Sequence, residues 1–182
     1  MSDDVTRCRH WVEQVVVGFQ LCPYARAPWN DGTVRFALCD AEDVAERLTS
    51  LWLEVERLVG TDPAELSTTL LVLPGAPDDF DAFLGETDLA DEIVNRAGAE
   101  GVVQVVPFHP SFRFATGSPD DPGHAVNRSP VAMWHLLREA ELEAVRLRDP
   151  DAGRRVSEAN RALLRSMTAG LPWPWPGGGA VH

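Results

Sequence analysis

At 182 residues, 45% of them hydrophobic, the chain is long enough to bury one substantial core and too short to favour two domains. Its formal charge of −12 at pH 7 opposes phosphate backbones and anionic lipid, which argues against nucleic acid and membrane surfaces as partners. All 16 basic residues are arginine, which excludes chemistry needing a lysine amine: Schiff bases, pyridoxal phosphate held through a lysine, and Walker-type nucleotide sites.

Residues 3–19 predict a helix, with Val5, Cys8, Trp11, Val12, Val15, Val16 and Phe19 at i, i+3, i+4, i+7 spacing and Gly18 and Pro23 ending it. The segment TVRFALC, 33–39, predicts a buried strand, and Asp40 a cap for a helix with the stripe Val44, Leu48, Leu51, Val55, Leu58. A second strand is expected in STTLLVLP, 67–74. A third helix then starts at Asp78 or Asp79 and carries Phe80, Phe83, Leu89, Ile93 and Val94, with a break or kink at Gly85. GVVQVVPF, 101–108, predicts a third strand.

A long polar loop follows, and loops beyond about 12–15 residues are usually functional or disordered. Ser129 as N-cap and Pro130 at the first position then predict a helix with the stripe Met133, Leu136, Leu137, Ala140, Ala144. A last helix is expected over 152–168. The order predicts an α/β fold: a small, mostly parallel three-stranded sheet (a βαβαβ core) with an N-terminal helix and two C-terminal helices. An α+β sandwich with mixed strand directions is the alternative. One domain is expected over residues 1–170. Residues 171–182, rich in Trp, Pro and Gly, read as an extended tail whose tryptophans pack on this chain or a neighbour, a route to a homo-oligomer.

No apolar run approaches the roughly 20 residues of a membrane-spanning helix. The opening MSDDVTR has neither the basic nor the apolar region of a signal peptide. Three scattered cysteines fit a reduced, cytoplasmic protein better than a disulfide framework.

In a parallel sheet, ligands sit at the carboxyl ends of the strands. That rule points to Cys39–Asp40, Pro74–Gly75 and Phe108–His109, the edge from which the long loop departs. His109 is a candidate general base or metal ligand, or a strand-end cap. Asp120 and Asp121 in SPDDPG are paired carboxylates or turn chemistry. His124 reads as an exposed loop histidine. Asn127, Arg128 and Ser129 precede the expected helix, whose free N–H groups attract anions, and Arg113 and Arg128 can add bidentate bonds to a carboxylate or phosphate. His135, Arg138 and Glu139 would share a face of that helix, where Glu139 orients His135 or pairs with Arg138.

Cys8 and Cys39 fall on buried faces. Cys22 differs, because it follows a helix end in QLCPYARAP. If Pro23 begins a new turn, Cys22 is its N-cap, where a thiolate is favoured. CPYA lacks the second cysteine and the preceding strand of a glutaredoxin-type site, which excludes a thioredoxin-like fold. Cys22, His109 and His135 together are candidate ligands for a transition metal, and a Cys-Pro pair is a weak signal for haem.

GFQLCPYA, FHPSFRF, the loop's Asp-Asp and NRSPVAMWHLLRE, in this order over about residues 5–145, resemble a bacterial family known as domain of unknown function 1415. The family pattern has Asn where this chain has Gln20, often Tyr-Pro at Val131-Ala132, and often Tyr at Phe112. The family name carries no reaction. The resemblance implies that Cys22, His109, Asp121, Asn127, Arg128, His135, Arg138 and Glu139 lie within shared motifs, and that LCPYA and the loop form one site.

Three functions remain open at this point. The first is an enzyme acting on a small anionic metabolite, with Cys22 as nucleophile, His109 or His135 as acid/base, and Arg113, Arg128 and the helix start at Ser129 holding the anion. The second is a metal- or haem-dependent enzyme. The third is a non-catalytic binding or assembly module.

Overall fold

The computed structural model describes residues 2–116 and 118–168, apart from the side chains of 145, 146, 148 and 168. The predicted tail lies outside the described residues. In chain order the elements are α1 (Asp3–Trp11), a π-helical turn (Val12–Val17), α2 (Arg26–Asp31), β1 (Val34–Leu38), α3 (Val44–Gly60), β2 (Thr68–Val72), α4 (Phe80–Arg96), β3 (Val103–Phe108), a 3₁₀ helix (Pro122–Asn127), β4 (Met133–Arg138), α5 (Glu139–Arg148) and α6 (Ala152–Thr168).

The sheet is four-stranded and mixed, in the order β1-β2-β4-β3. β1 and β2 are parallel, and β4 runs antiparallel to both β2 and β3. The three strands expected from sequence therefore share one direction, and a fourth is inserted between two of them. This corrects the three-stranded, mostly parallel sheet and agrees with the mixed α+β alternative. The helix expected after Pro130 is a strand, followed by α5.

The physical reason lies in burial. Trp134 and Leu136 face α3 and α4, while Met133 belongs to the opposite core. A strand buried on both faces is apolar at consecutive positions, so its period resembles that of a buried helix. Trp134 is locked by its Nε1–H donating to Thr87 Oγ1 at 3.1 Å and by stacking on Phe83. Ser129 does not cap a helix; its hydroxyl donates to the Val131 carbonyl at 2.5 Å.

Helices cover both faces of the sheet. On one, Ala37, Leu71, Val105 and Leu136 meet Leu51, Val55, Phe83 and Val94 of α3 and α4. Asp43, rather than Asp40, caps α3 by accepting from Ala45 N–H at 2.8 Å, and Asp79 caps α4. α4 runs through Gly85 without a break, because its stripe from Phe80 to Val94 stays continuous. On the other face, Leu70, Val72 and Met133 meet Val5, Cys8, Trp11, Val12, Val15 and Val16.

The carboxyl edge of the parallel strands is filled by protein. Arg47 is 2% exposed. Its Nη1 donates to the carbonyls of Ala41 and Gly75 at 2.9 and 3.0 Å, and Nε and Nη2 pair with Glu86 at 3.0 and 2.5 Å. A Cβ at Gly75 would stand 2.4 Å from the Ala41 carbonyl oxygen, so only glycine lets the two loops close there.

The π-helical turn ends in Gly18, where a Cβ would meet the Gln14 carbonyl oxygen at 2.2 Å. The chain then turns through Gln20 at φ +56°. The turn delivers Leu21 and Cys22 to the face of the sheet that α3 and α4 do not cover.

Candidate active site

A cavity of about 700 Å³ opens on that face. Its floor is the sheet: Val34, Thr68, Leu70, Val106, Phe108, His135 and Leu137, the residues whose alternation directs them away from α3 and α4. Its walls are Trp11, Val12 and Val16, the turn from Leu21 to Ala25, the loop residues Phe114 and Val126, and Leu142 and Val156 from the last two helices. Most of the lining is apolar, with a few polar groups among it, the usual character of small-molecule sites.

His135 sits in the floor opposite Leu70 and Val106. The Thr68 hydroxyl donates its one proton to the Leu136 carbonyl at 2.6 Å, so in its 2.8 Å contact with His135 Nε2 it must accept. This fixes the Nε2–H tautomer and leaves Nδ1 as a bare lone pair, with no partner among the described residues. Burial pushes the imidazole pKa down to about 4, so the ring is neutral near pH 7. Phe108 packs beside it, ring centroids 5.6 Å apart.

Cys22 lines the same cavity at the start of the turn leading into α2. Burial raises its thiol pKa above the ordinary value, and hydrogen bonds from the Tyr24 and Ala25 backbone pull it partly back. The N-cap position expected for Cys22 is not realised, since α2 begins at Arg26 with Ala25 as its N-cap and Cys22 lies in the turn before it; desolvation is the largest influence, and Cys22 rests as a thiol. Alkylation by iodoacetamide is accordingly expected to be slow at pH 7 and to keep accelerating past the ordinary thiol range near pH 8.5. A plateau already at pH 6–7 would instead mark a thiolate–imidazolium pair. Cys8 and Cys39 are buried, as their spacing implied, and burial raises Cys8 to about 12.

Of the other sequence candidates, Asn127 lines the cavity, its Nδ2 bonded to the Pro107 carbonyl at 3.4 Å. Arg138 reaches the lining but sends its guanidinium to the carbonyls of Leu58, Thr61 and Leu66, at the C-terminal end of α3 and just beyond it. Asp121 stands behind the wall, capping Gly123 N–H at 2.8 Å and lying 3.2 Å from Arg161 Nε.

His109 lies on the α4 side of the sheet between Phe80 and Phe83. Its Nε2–H donates to the Pro77 carbonyl and its Nδ1 accepts from Ser111 N–H, both at 3.0 Å, so neither nitrogen is left for chemistry. Arg113 pairs with Asp81 and covers the Phe80 ring. Arg128 donates to the Phe112 carbonyl at 2.9 Å. Glu139 opens α5, and its N–H bonds the Val102 carbonyl. These four, with Ser129, do not line the cavity.

His124 is buried rather than exposed. It accepts from Phe114 N–H and donates to the Ser118 carbonyl, pinning the long loop as a cavity wall. Among the described residues no group of three or more His, Cys, Asp or Glu side chains is arranged to hold a metal ion, and His109 lies on the α4 side of the sheet while Cys22 and His135 line the cavity on the other. Nor is any helix there long and apolar enough to cross a membrane.

Sequence reasoning did not single out Thr68, Tyr24, Asp31, Glu141, Asn160 or Arg161, all of which line the cavity. Asn160 carried a readable signal: it is a polar residue in line with Val156 and Leu164 on the inward stripe of α6. Its Nδ2 donates to the Leu21 carbonyl at 2.7 Å and so ties α6 to the residue before Cys22. Residues 4–171 match a family model that covers nearly the whole chain. No curated protein and no solved structure matches.

Proposed function

The chain belongs to the family described as a protein of unknown function (DUF1415), the one its motifs resemble, and from that premise we propose that its cavity is the site of a cysteine–histidine enzyme acting on a small, largely apolar molecule. The observation that carries this reading is that Cys22 and the open Nδ1 of His135 belong to one cavity. In a group transfer, the Cys22 sulfur would attack an acyl carbon. The S–H proton would pass to His135 Nδ1 and from there to the departing oxygen or nitrogen.

The support differs from an anion pocket. Arg113 and Arg128 are bonded away from the cavity, and Met133–Arg138 offers a strand in place of a helix N-terminus. The apolar lining favours a ligand that is mostly hydrocarbon or aromatic ring.

Exposure to p-nitrophenyl butyrate tests the reading. The expected result is one butyryl adduct per chain, mapped by mass spectrometry to Cys22, with a matching burst of p-nitrophenol that Cys22→Ala abolishes. An adduct that never reaches Cys22 would refute a nucleophilic role. Reversible binding of the ester without transfer would make the cavity a carrier site instead.

A further inference from the structure

Two side chains in the cavity lining hold a buried polar atom without a partner among the described residues, and both atoms are donors. Trp11 is 3% exposed, and its Nε1–H meets no acceptor there. Arg161 Nε is buried and equally without a hydrogen bond. A buried donor with no protein acceptor is a place where a bound molecule can supply one. The amides of Asn127 and Asn160 carry both donor and acceptor, so they suit either kind of ligand group.

Of the two arginines in the lining, only Arg161 has bonds left to give. Arg138 sends its guanidinium to three backbone carbonyls. Arg161 makes no hydrogen bond among the described residues: its Nε lies 3.2 Å from Asp121 Oδ2 as an ion-pair contact, while Asp121 Oδ1 accepts from Gly123 N–H. Arg161 thus lies against the 3₁₀ helix, whose last residue, Asn127, accepts at its carbonyl from His109 N–H just past β3. Its neighbour Asn160 is tied to Leu21, the residue before Cys22. Trp11 packs on Phe108, where β3 ends. Both donors therefore belong to the end of the cavity where β3 stops. Asp31 and Glu141 are exposed and stand at the opposite end, where β1 begins and β4 stops. An anionic group is drawn to the first end and repelled from the second.

One arginine in an otherwise apolar lining suits one acidic group on a hydrocarbon body. We infer that the molecule bound here is an apolar monocarboxylate. Its carboxylate takes the Arg161 guanidinium, whose N–H fork matches two carboxylate oxygens, and its body runs over the floor of Leu70 and Val106. Trp11 Nε1–H is a further donor at the carboxylate end. The inference rests on the cysteine–histidine reading of the same cavity and names the class of molecule it handles. Hydrolysis of an acyl-Cys22 thioester, with water adding at the carbonyl carbon and the sulfur leaving as the thiol, releases such an acid.

The test is calorimetric binding of three probes of similar size: 3-phenylpropionate, 3-phenylpropanol and 3-phenylpropylamine. The acid is expected to bind at least 10-fold more tightly than the alcohol, and the amine more weakly than both. Arg161→Gln should bring the acid-to-alcohol ratio close to one. Arg96→Gln, which changes net charge equally at an exposed position of α4, should leave the ratio as it was. Asp121→Asn keeps an oxygen to cap Gly123 and relieves Arg161 of its acid, so it should tighten the acid and not the alcohol, a gain that misfolding cannot mimic. Equal binding of acid and alcohol, or a ratio that falls equally in Arg161→Gln and Arg96→Gln, would overturn the carboxylate assignment and leave the apolar site standing. Failure of all three probes to bind, while p-nitrophenyl butyrate still acylates Cys22, would overturn it and spare the cysteine reading. Failure of both would remove the site altogether.

Discussion

Arg47→Met is expected to cost about 3–5 kcal/mol of stability, because removing one member of a buried pair leaves the other charge uncompensated. The stranded groups are Glu86 and the carbonyls of Ala41 and Gly75. Urea unfolding of wild type and variant measures the difference, and Tm should fall on the order of 10 °C. Changing Glu86→Leu together with Arg47→Met should recover the part of the loss due to the stranded carboxylate, while the Ala41 and Gly75 carbonyls stay without their donor. A loss below about 1 kcal/mol in the single variant would mean that Arg47 is not what closes the carboxyl edge of β1 and β2. That edge would then be open again as a place for ligands.

Acid is expected to weaken the fold through His135. Its folded pKa, about 4, lies below the ordinary 6.5, so stability is fully present above pH 6.5 and is lost as pH falls through the folded value. Between those limits the unfolded chain takes a proton that the folded chain refuses. The loss is on the order of 3 kcal/mol, at about 1.4 kcal/mol for each pH unit between the two values. His109, its pKa also lowered by burial, acts in the same direction. His135→Gln keeps a donor for Thr68 and does not titrate. Urea unfolding at pH 7.0 and 4.5 should show a smaller loss in the variant than in wild type. Equal losses would mean that the imidazole is hydrated and that its lone pair does not face a dry cavity.

Much of the fold was legible because its amphipathic elements declare their period. α3, α4 and α6 each bury one stripe, and β1, β2 and β3 are short apolar runs between turn signals. β4 was not legible, for the reason that makes it central: with both faces buried, MWHLLR has no alternation to read. α2 is six residues with none buried, so it carries no stripe at all.

The site followed from that one element. Once residues 133–138 are a strand, His135 and Arg138 face opposite sides of the sheet. His135 then meets Thr68, while Arg138 clasps the end of α3. Cys22 stood out in sequence because it followed a helix end, and the structure places it in the cavity wall. His109 resembled it as a lone polar group at an element's end, and its two backbone bonds and two aromatic neighbours are invisible in a one-dimensional reading. The long loop that drew attention by its histidine and arginine content contributes chiefly Phe114, Val126 and Asn127 to the wall, with His124 as its internal pin.

The most direct test of a shared Cys22–His135 site is the single-turnover rate of Cys22 acylation by p-nitrophenyl butyrate at pH 7.5, in wild type and in His135→Gln. If His135 Nδ1 takes the thiol proton, the variant should acylate on the order of 10²–10⁴-fold more slowly, the usual contribution of a positioned general base. It should still unfold cooperatively in urea. An unchanged acylation rate in a folded His135→Gln protein would rule out the shared site and leave Cys22 as a thiol in a cavity wall, without a base.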